Sequence, residues 1–184
     1  MGEHVCPWWL AYAIDNPLRL IFHNPAKILG PYVKKGMTVL DVGCGMGFFS
    51  IGLARLVSDS GCVIAADVQP KMLKTLKKRS KKAGVADTIC FHRCQTGQLG
   101  IDTPVEFILA FWMVHEVPDL QVFFHQIRAC LKPTGKMLIA EPRFHVSPRR
   151  FQEILGSARA CGLNSFDTPS IRFSRSAVLS NTVP

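Results

Sequence analysis

The chain has 184 residues, 48% of them hydrophobic and 19% charged, a balance that excludes a disordered tail and fits one folded domain. At about this length folding hides roughly 70% of the unfolded surface, so a core forms without disulfides or a structural metal. The formal charge of +9 comes from 22 basic against 13 acidic side chains, but the single stretch Lys71, Lys74, Lys77, Lys78, Arg79, Lys81 and Lys82 supplies seven of the nine surplus charges. A local surplus of this kind argues against a nucleic-acid-binding chain as a whole.

Seven cysteines, scattered and without a C-x-x-C pair, point away from a disulfide framework or zinc ribbon and toward a reducing cytoplasm. The start lacks a basic n-region, the apolar run from Trp8 stops at Asp15, and no stretch is long enough to cross a membrane.

From Met37 onward short apolar runs alternate with helical periodicity. Met37 to Val42 reads as a buried strand, Gly47 to Val57 as a helix, and Cys62 to Asp67 as a second strand. A helix from Pro70 to Ala83 carries Met72, Leu73, Leu76 and Ala83 on one face and the lysines on the other, with Gly84 as its stop. Strand three is Thr88 to Arg93; strand four, Val105 to Phe111, is apolar except for Glu106, as a strand covered on both faces should be. Asp119 is placed to cap a helix through Leu120, Phe124, Ile127 and Leu131, with Lys132-Pro133-Thr134-Gly135 as its stop. Strand five is Lys136 to Glu141, and Ser147-Pro148 opens a helix through Phe151, Ile154, Leu155 and Ala158, closed by Gly162. Two short strands, near 164–168 and 172–179, complete the set. The expected fold is α/β: a doubly wound, mostly parallel seven-stranded sheet with helices on both faces in a single domain, whose ligands bind beyond the carboxyl ends of the strands.

The turn after strand one reads Asp41-Val42-Gly43-Cys44-Gly45-Met46-Gly47. Its glycines permit positive φ and close approach of a ligand to the main chain, and the spacing is G-x-G-x-G rather than the dinucleotide G-x-G-x-x-G. Strand two ends in Asp67, whose carboxylate can accept both hydroxyls of a ribose or, alternatively, cap the lysine-rich helix. With these two features, the stretch Phe107 to Asp119 ending His115-Glu116-Val117-Pro118-Asp119, and the turn Lys132-Pro133-Thr134-Gly135-Lys136, the sequence resembles the class I S-adenosylmethionine-dependent methyltransferases from Met37 to Leu179. The resemblance implies a Rossmann-like methyltransferase fold, S-adenosyl-L-methionine as cofactor and S-adenosyl-L-homocysteine as product. It places the Gly43 and Gly45 backbone, with Cys44 between them, against the methionine part and Asp41 near its ammonium group. Asp67 would hold the ribose, Val68 would flank the adenine, Gln95 would accept from the adenine amino group, Thr96 would add a backbone or hydroxyl contact, and Phe111 would complete the cofactor contacts.

The segment after strand four, Ala110 to Glu116, contains neither an Asn-Pro-Pro-Tyr or Asp-Pro-Pro-Tyr sequence nor a Pro-Cys dipeptide, which separates it from the enzymes that methylate nucleic-acid bases. No acid closes strand four, so the expected acceptor pocket is apolar and metal-independent, lined by Phe111, Trp112 and Met113. His115 is the candidate general base, since an unperturbed histidine has a pKa near neutral and this one belongs to the segment facing the reacting methyl. Residues 1–35 precede the motifs of the domain at 36–184. As a helical cap they would bring Trp8, Trp9 and Tyr12 over a substrate; the alternative is a helix on the sheet edge with those aromatics in the core. The expected acceptor is a small molecule, taken by a monomer or homodimer without membrane or nucleic-acid partners. Methylation of RNA or a protein side chain, and a non-catalytic S-adenosylmethionine-binding regulator, are the alternatives.

Overall fold

The computed structural model of the chain describes residues 19–181. In chain order these form α1 (Arg19–Phe22), α2 (Pro25–Leu29), β1 (Thr38–Val42), α3 (Phe48–Val57), β2 (Cys62–Asp67), α4 (Pro70–Lys82), β3 (Ile89–Arg93), β4 (Val105–Phe111), α5 (Leu120–Cys130), β5 (Leu131–Pro142), α6 (Pro148–Ala160), β6 (Asn164–Asp167) and β7 (Ser174–Ser180), with single 3-10 turns at Ala86–Thr88 and Val114–Glu116. The strands make one sheet in the order β3-β2-β1-β4-β5-β7-β6. β1 to β5 run parallel, while β7 lies antiparallel to both β5 and β6.

Period-two alternation on the central strands splits the core into two layers. Leu40, Ile108 and Ile139 pack on one face with Phe124 and Ile127 of α5 and Ile154 of α6. Val39, Phe107, Leu109 and Leu138 pack on the other with Phe49, Leu53 and Val57 of α3 and Leu76 of α4. Leu29 of α2 and Val33 are buried in that second layer, so the segment just ahead of β1 contributes to the core. Because α3 and α4 cover one face of the sheet and α5 and α6 the other, the winding reverses between β1 and β4, and a crevice opens there at the carboxyl ends of the strands.

Asp119 caps α5 as its sequence position predicts, accepting the Gln121 and Val122 N–H groups at 2.8 and 3.0 Å. Ser147 accepts the Arg150 N–H at 3.1 Å at the start of α6. On α4, Met72 and Leu76 are buried while six lysines are exposed, the arrangement of a solvated helix face. Strand five differs from expectation. It begins at Leu131, which pairs with Val105, and the register then jumps to Lys136 opposite Phe107. Lys132-Pro133-Thr134-Gly135 is therefore a bulge within the strand rather than a turn ahead of it. Glu106 anchors this irregularity by accepting the Thr38 N–H at 2.8 Å and pairing with Lys132. Thr88 belongs to the 3-10 turn rather than to β3. Among the described residues no helix is long and apolar enough to cross a membrane.

Candidate active site

The turn leaving β1 needs three left-handed residues in five, and glycine supplies them at Gly43 (φ 66°), Gly45 (φ 53°) and Gly47 (φ 84°). Space is as decisive as φ. A Cβ on Gly47 would lie 1.9 Å from Leu76 Cδ1, so its absence lets the start of α3 pack on α4, whereas a Cβ on Gly45 would meet nothing within 4 Å because that residue faces the open crevice. The Gly43 and Cys44 N–H groups donate to the Ala66 carbonyl at 2.8 and 3.1 Å, tying the turn to the end of β2. Asp41, buried behind the turn, accepts the Ser50 hydroxyl of α3 at 2.6 Å. Burial pushes its carboxyl up to about 7, against the Ser50 hydrogen bond, with Asp67 adding to the rise and Arg19 opposing it.

Asp67 closes β2 with both carboxylate oxygens engaged: one accepts the Gly45 N–H at 2.9 Å and the other the Gln69 N–H at 2.8 Å. Burial raises its pKa while these backbone donors pull it down. Gln69 occupies the N-cap place of α4, so Asp67 belongs to the crevice and the glycine turn instead of capping that helix. Val68 follows on the wall. Past β3, Gln95 and Gln98 exchange backbone hydrogen bonds across a tight turn that holds Gln95 and Thr96 at the rim. Gln126 of α5 braces that turn through Gly97 and Leu99. His92 and Cys94, which alternate to one face of β3, both spend their polar atoms on the Leu99 carbonyl.

These groups open into one cleft of about 770 Å³ whose further wall is the end of β4. Phe111 is buried there, and Trp112 takes a left-handed conformation at φ 60°, rare for an aromatic residue and sustained only by its surroundings. Its main-chain N–H donates to Ala140 at 2.7 Å and its indole N–H to Ser174 of β7 at 2.9 Å. The His23 ring meets Phe111 and Trp112 edge-on at 5.1 and 5.2 Å. The Arg19 guanidinium lies 4.6 Å from the Phe48 ring and 5.5 Å from those of Phe111 and Trp112. Arg19 thus lines the cleft, and His23 packs behind its aromatic wall. Met113 packs under Gly43, and His115 follows on the 3-10 turn. The His115 Nδ1 is 2.5 Å from Glu141 Oε2, and Glu141 is fully buried at the end of β5.

Every predicted cofactor residue, from Asp41 to Phe111, therefore lines the same cleft as Trp112, Met113 and His115. Trp8, Trp9 and Tyr12 lie outside the described residues. Among the residues of the cleft region that the sequence reading did not pick out are Arg19 and Glu141. Arg19 stands 22 positions before Asp41 with no motif around it, and Glu141 looks like an ordinary strand end until the fold sets it beside His115. Among the described residues no group of three or more His, Cys, Asp or Glu side chains is placed to hold a metal ion.

A methyltransferase-domain family profile matches residues 33–161. Among curated proteins, a ubiquinone/menaquinone biosynthesis C-methyltransferase of Cellvibrio japonicus is 34% identical over 110 residues, covering 59% of this chain and 44% of that protein. A ubiquinone biosynthesis O-methyltransferase of Xanthomonas euvesicatoria is 30% identical over 140 residues, covering 72% of this chain and 55% of its own length. The chain thus spans about half the length of the curated relatives it matches. Among solved structures, an S-adenosylmethionine-dependent methyltransferase from Aquifex aeolicus superposes with a TM-score of 0.85, covering 95% of this chain and 98% of the other at 23% identity, and so shares the fold. With the glycine turn, the acid closing β2 and this profile in one place, the chain belongs to the methyltransferase-domain family, in its class I S-adenosylmethionine-dependent group.

Proposed function

We propose that the chain transfers a methyl group from S-adenosylmethionine to a small apolar acceptor. One observation carries this reading: the cradle formed by Gly43, Gly45, Asp41 and Asp67 opens into the same cleft as the aromatic wall and His115. The residues fit the cofactor. Gly45 leaves its backbone open to the crevice, the Asp67 carboxylate has lone pairs beyond the two N–H groups it accepts and can take ribose hydroxyls, and Asp41 sets a carboxyl behind the turn for an ammonium group. Val68, Gln95 and Thr96 supply the adenine side, with Cys44 and Phe111 filling in along the cleft. When bound, S-adenosylmethionine supplies a methyl group activated on a sulfonium. The protein's part is to orient that group, exclude water and align the acceptor's nucleophile, which accounts for most of the catalysis such a displacement needs.

Phe111, Trp112 and Met113 favour an apolar, flat acceptor, and the relatives named for ubiquinone and menaquinone biosynthesis support a small molecule over a macromolecule. The acceptor pocket is metal-independent in this reading, which rests on β4 running into Phe111, Trp112 and Met113 rather than into an acid. His115 acts as the general base. Of the proposed cap at residues 1–35, Arg19 lines the cleft and His23 packs on Phe111 and Trp112, which supports a cap role for the segment ahead of α2, while Leu29 and Val33 belong to the sheet core; Trp8, Trp9 and Tyr12 lie outside the described residues. The free thiols among the described cysteines support a reducing cytoplasm as its location.

Calorimetry with S-adenosylmethionine and S-adenosylhomocysteine tests the reading directly. Saturable heat with both is expected, and Asp67→Ala should weaken binding by on the order of 1–3 kcal/mol through lost charge-assisted hydrogen bonds. Absence of heat with well-folded protein overturns the proposal. Incubation with methyl-labelled cofactor and a pool of small metabolites should then yield a labelled small product; label in RNA or protein would move the acceptor to a macromolecule, and binding without transfer to any pool would leave a regulator.

A further inference from the structure

The environment of His115 is more specific than a histidine near a cleft requires. Glu141 has no exposed surface, and its two oxygens have separate duties: Oε1 accepts the Val114 N–H at 2.9 Å, and Oε2 faces His115 Nδ1 at 2.5 Å. A carboxylate buried this completely needs partners for its charge. The Val114 N–H supplies one, and an imidazole carrying its proton on Nδ1 would supply the other. Two further groups adjoin the ring, neither within hydrogen-bond distance of it. Glu116, on the same 3-10 turn, lies 3.8 Å from Nε2, and the His145 ring, from the connection between β5 and α6, packs 4.8 Å from the His115 ring. Among the described residues, Glu116, Glu141 and His145 are the ionisable groups in contact with His115.

From this geometry we infer that Glu141 is a positioning residue that fixes the His115 tautomer with a bare Nε2 available to the cleft, and that the acceptor is a molecule whose nucleophile is a hydroxyl oxygen on an aromatic ring. The inference rests on the proposed methyl transfer and deepens it. A histidine locked with its proton on Nδ1 takes a proton at Nε2, and its gain in charge is compensated by Glu141. An acceptor already nucleophilic, such as a thiolate, has no use for that arrangement. A phenolic hydroxyl does: its proton passes to Nε2, the electron pair of the broken O–H bond stays on oxygen, and the oxygen bonds the methyl carbon as the carbon–sulfur bond breaks with its pair onto sulfur. The flat apolar walls of Phe111, Trp112 and Met113 match the ring that carries such a hydroxyl.

Glu141→Gln isolates the effect. Glutamine has one acceptor oxygen where two are used. If that oxygen keeps the Val114 N–H, the amide NH₂ faces Nδ1 and donates to it, so the ring proton moves to Nε2 and the base is lost while the shape is retained. The first measurement needs no substrate: nitrogen NMR of the full chain labelled at histidine, with His115→Gln used to assign the signal. Wild-type protein at a pH where the ring is neutral should show a protonated Nδ1 and a bare Nε2, and Glu141→Gln should reverse them. A wild-type His115 protonated at Nε2 overturns the positioning role, and that spectrum decides the point even if the variant does not fold.

The second measurement compares 4-methylphenol, un-ionised at assay pH, with 4-nitrophenol, assayed where it is ionised. Glu141→Gln should lose about 100-fold in kcat on the first and less than about 5-fold on the second, because an ionised acceptor needs no base. Equal losses on both would make Glu141 structural only. If wild-type protein binds S-adenosylmethionine yet methylates neither phenol, the hydroxyl class is overturned while the cofactor reading stands. Failure to bind the cofactor at all would instead overturn the reading beneath both.

Discussion

Asp41 carries a consequence for pH. Its carboxyl holds a proton in the fold up to about 7 against an ordinary value of 3.8, so between those values the folded chain binds more protons than the unfolded one. The contribution of Asp41 to stability is thus fully present below about pH 4 and declines as pH rises toward 7. A cationic ammonium beside it favours the ionised form, so cofactor binding should expel a proton. Calorimetry at about pH 6.5 in two buffers of different ionisation heat is expected to differ by up to one proton's worth, and to agree near pH 8.5; Asp41→Asn should abolish the difference. Equal heats at the lower pH would remove Asp41 from the ammonium site. Residues of this kind were legible because an acid next to a glycine turn has a local pattern. Glu141 was not, because its meaning comes from a partner 26 positions earlier and from complete burial, neither of which leaves a mark on neighbouring residues. The positive φ of Trp112 is equally silent in sequence, since an aromatic residue there is sustained by β5 and β7 rather than by its own preference.

Among the elements, the glycine turn separates two tasks that the sequence shows as one motif. Gly47 permits helix packing and Gly45 permits ligand approach. Gly47→Ala combines a left-handed conformation with overlap against Leu76, and a loss of roughly 2–4 kcal/mol is expected. It should appear as a lower urea midpoint with unchanged slope. Gly45→Ala meets no side chain, so its cost to stability should be smaller, about 1–2 kcal/mol from the backbone alone, while its cofactor affinity falls more than that of Gly47→Ala. The reverse order would contradict the assignment. Most strands and helices were readable because their apolar spacing and caps are local. The early start of β5 was not: a proline and a glycine in Lys132-Pro133-Thr134-Gly135 read as punctuation, whereas pairing of Leu131 with Val105 makes them a bulge. That pairing is a long-range event that no turn signal records.

Across the whole molecule, the basic surplus belongs to the exposed face of α4, away from the aromatic wall that would take the acceptor. Reversing Lys74, Lys78 and Lys81 to glutamate should abolish retention on heparin at low salt while leaving cofactor affinity within about 2-fold, because such retention is a counterion effect at the surface. Loss of cofactor binding in that variant would tie α4 to function after all. The sheet order adds a constraint of a different kind. Trp112 donates its indole N–H to Ser174 on β7, which lies between β5 and β6 and follows in sequence every residue proposed to hold the cofactor. A nascent chain that has emerged only through α6 would already own every group expected to grip the donor, yet its aromatic wall would lack the peg that fixes it. The residues proposed to hold the donor and the support of the proposed acceptor wall thus come from separate parts of the chain.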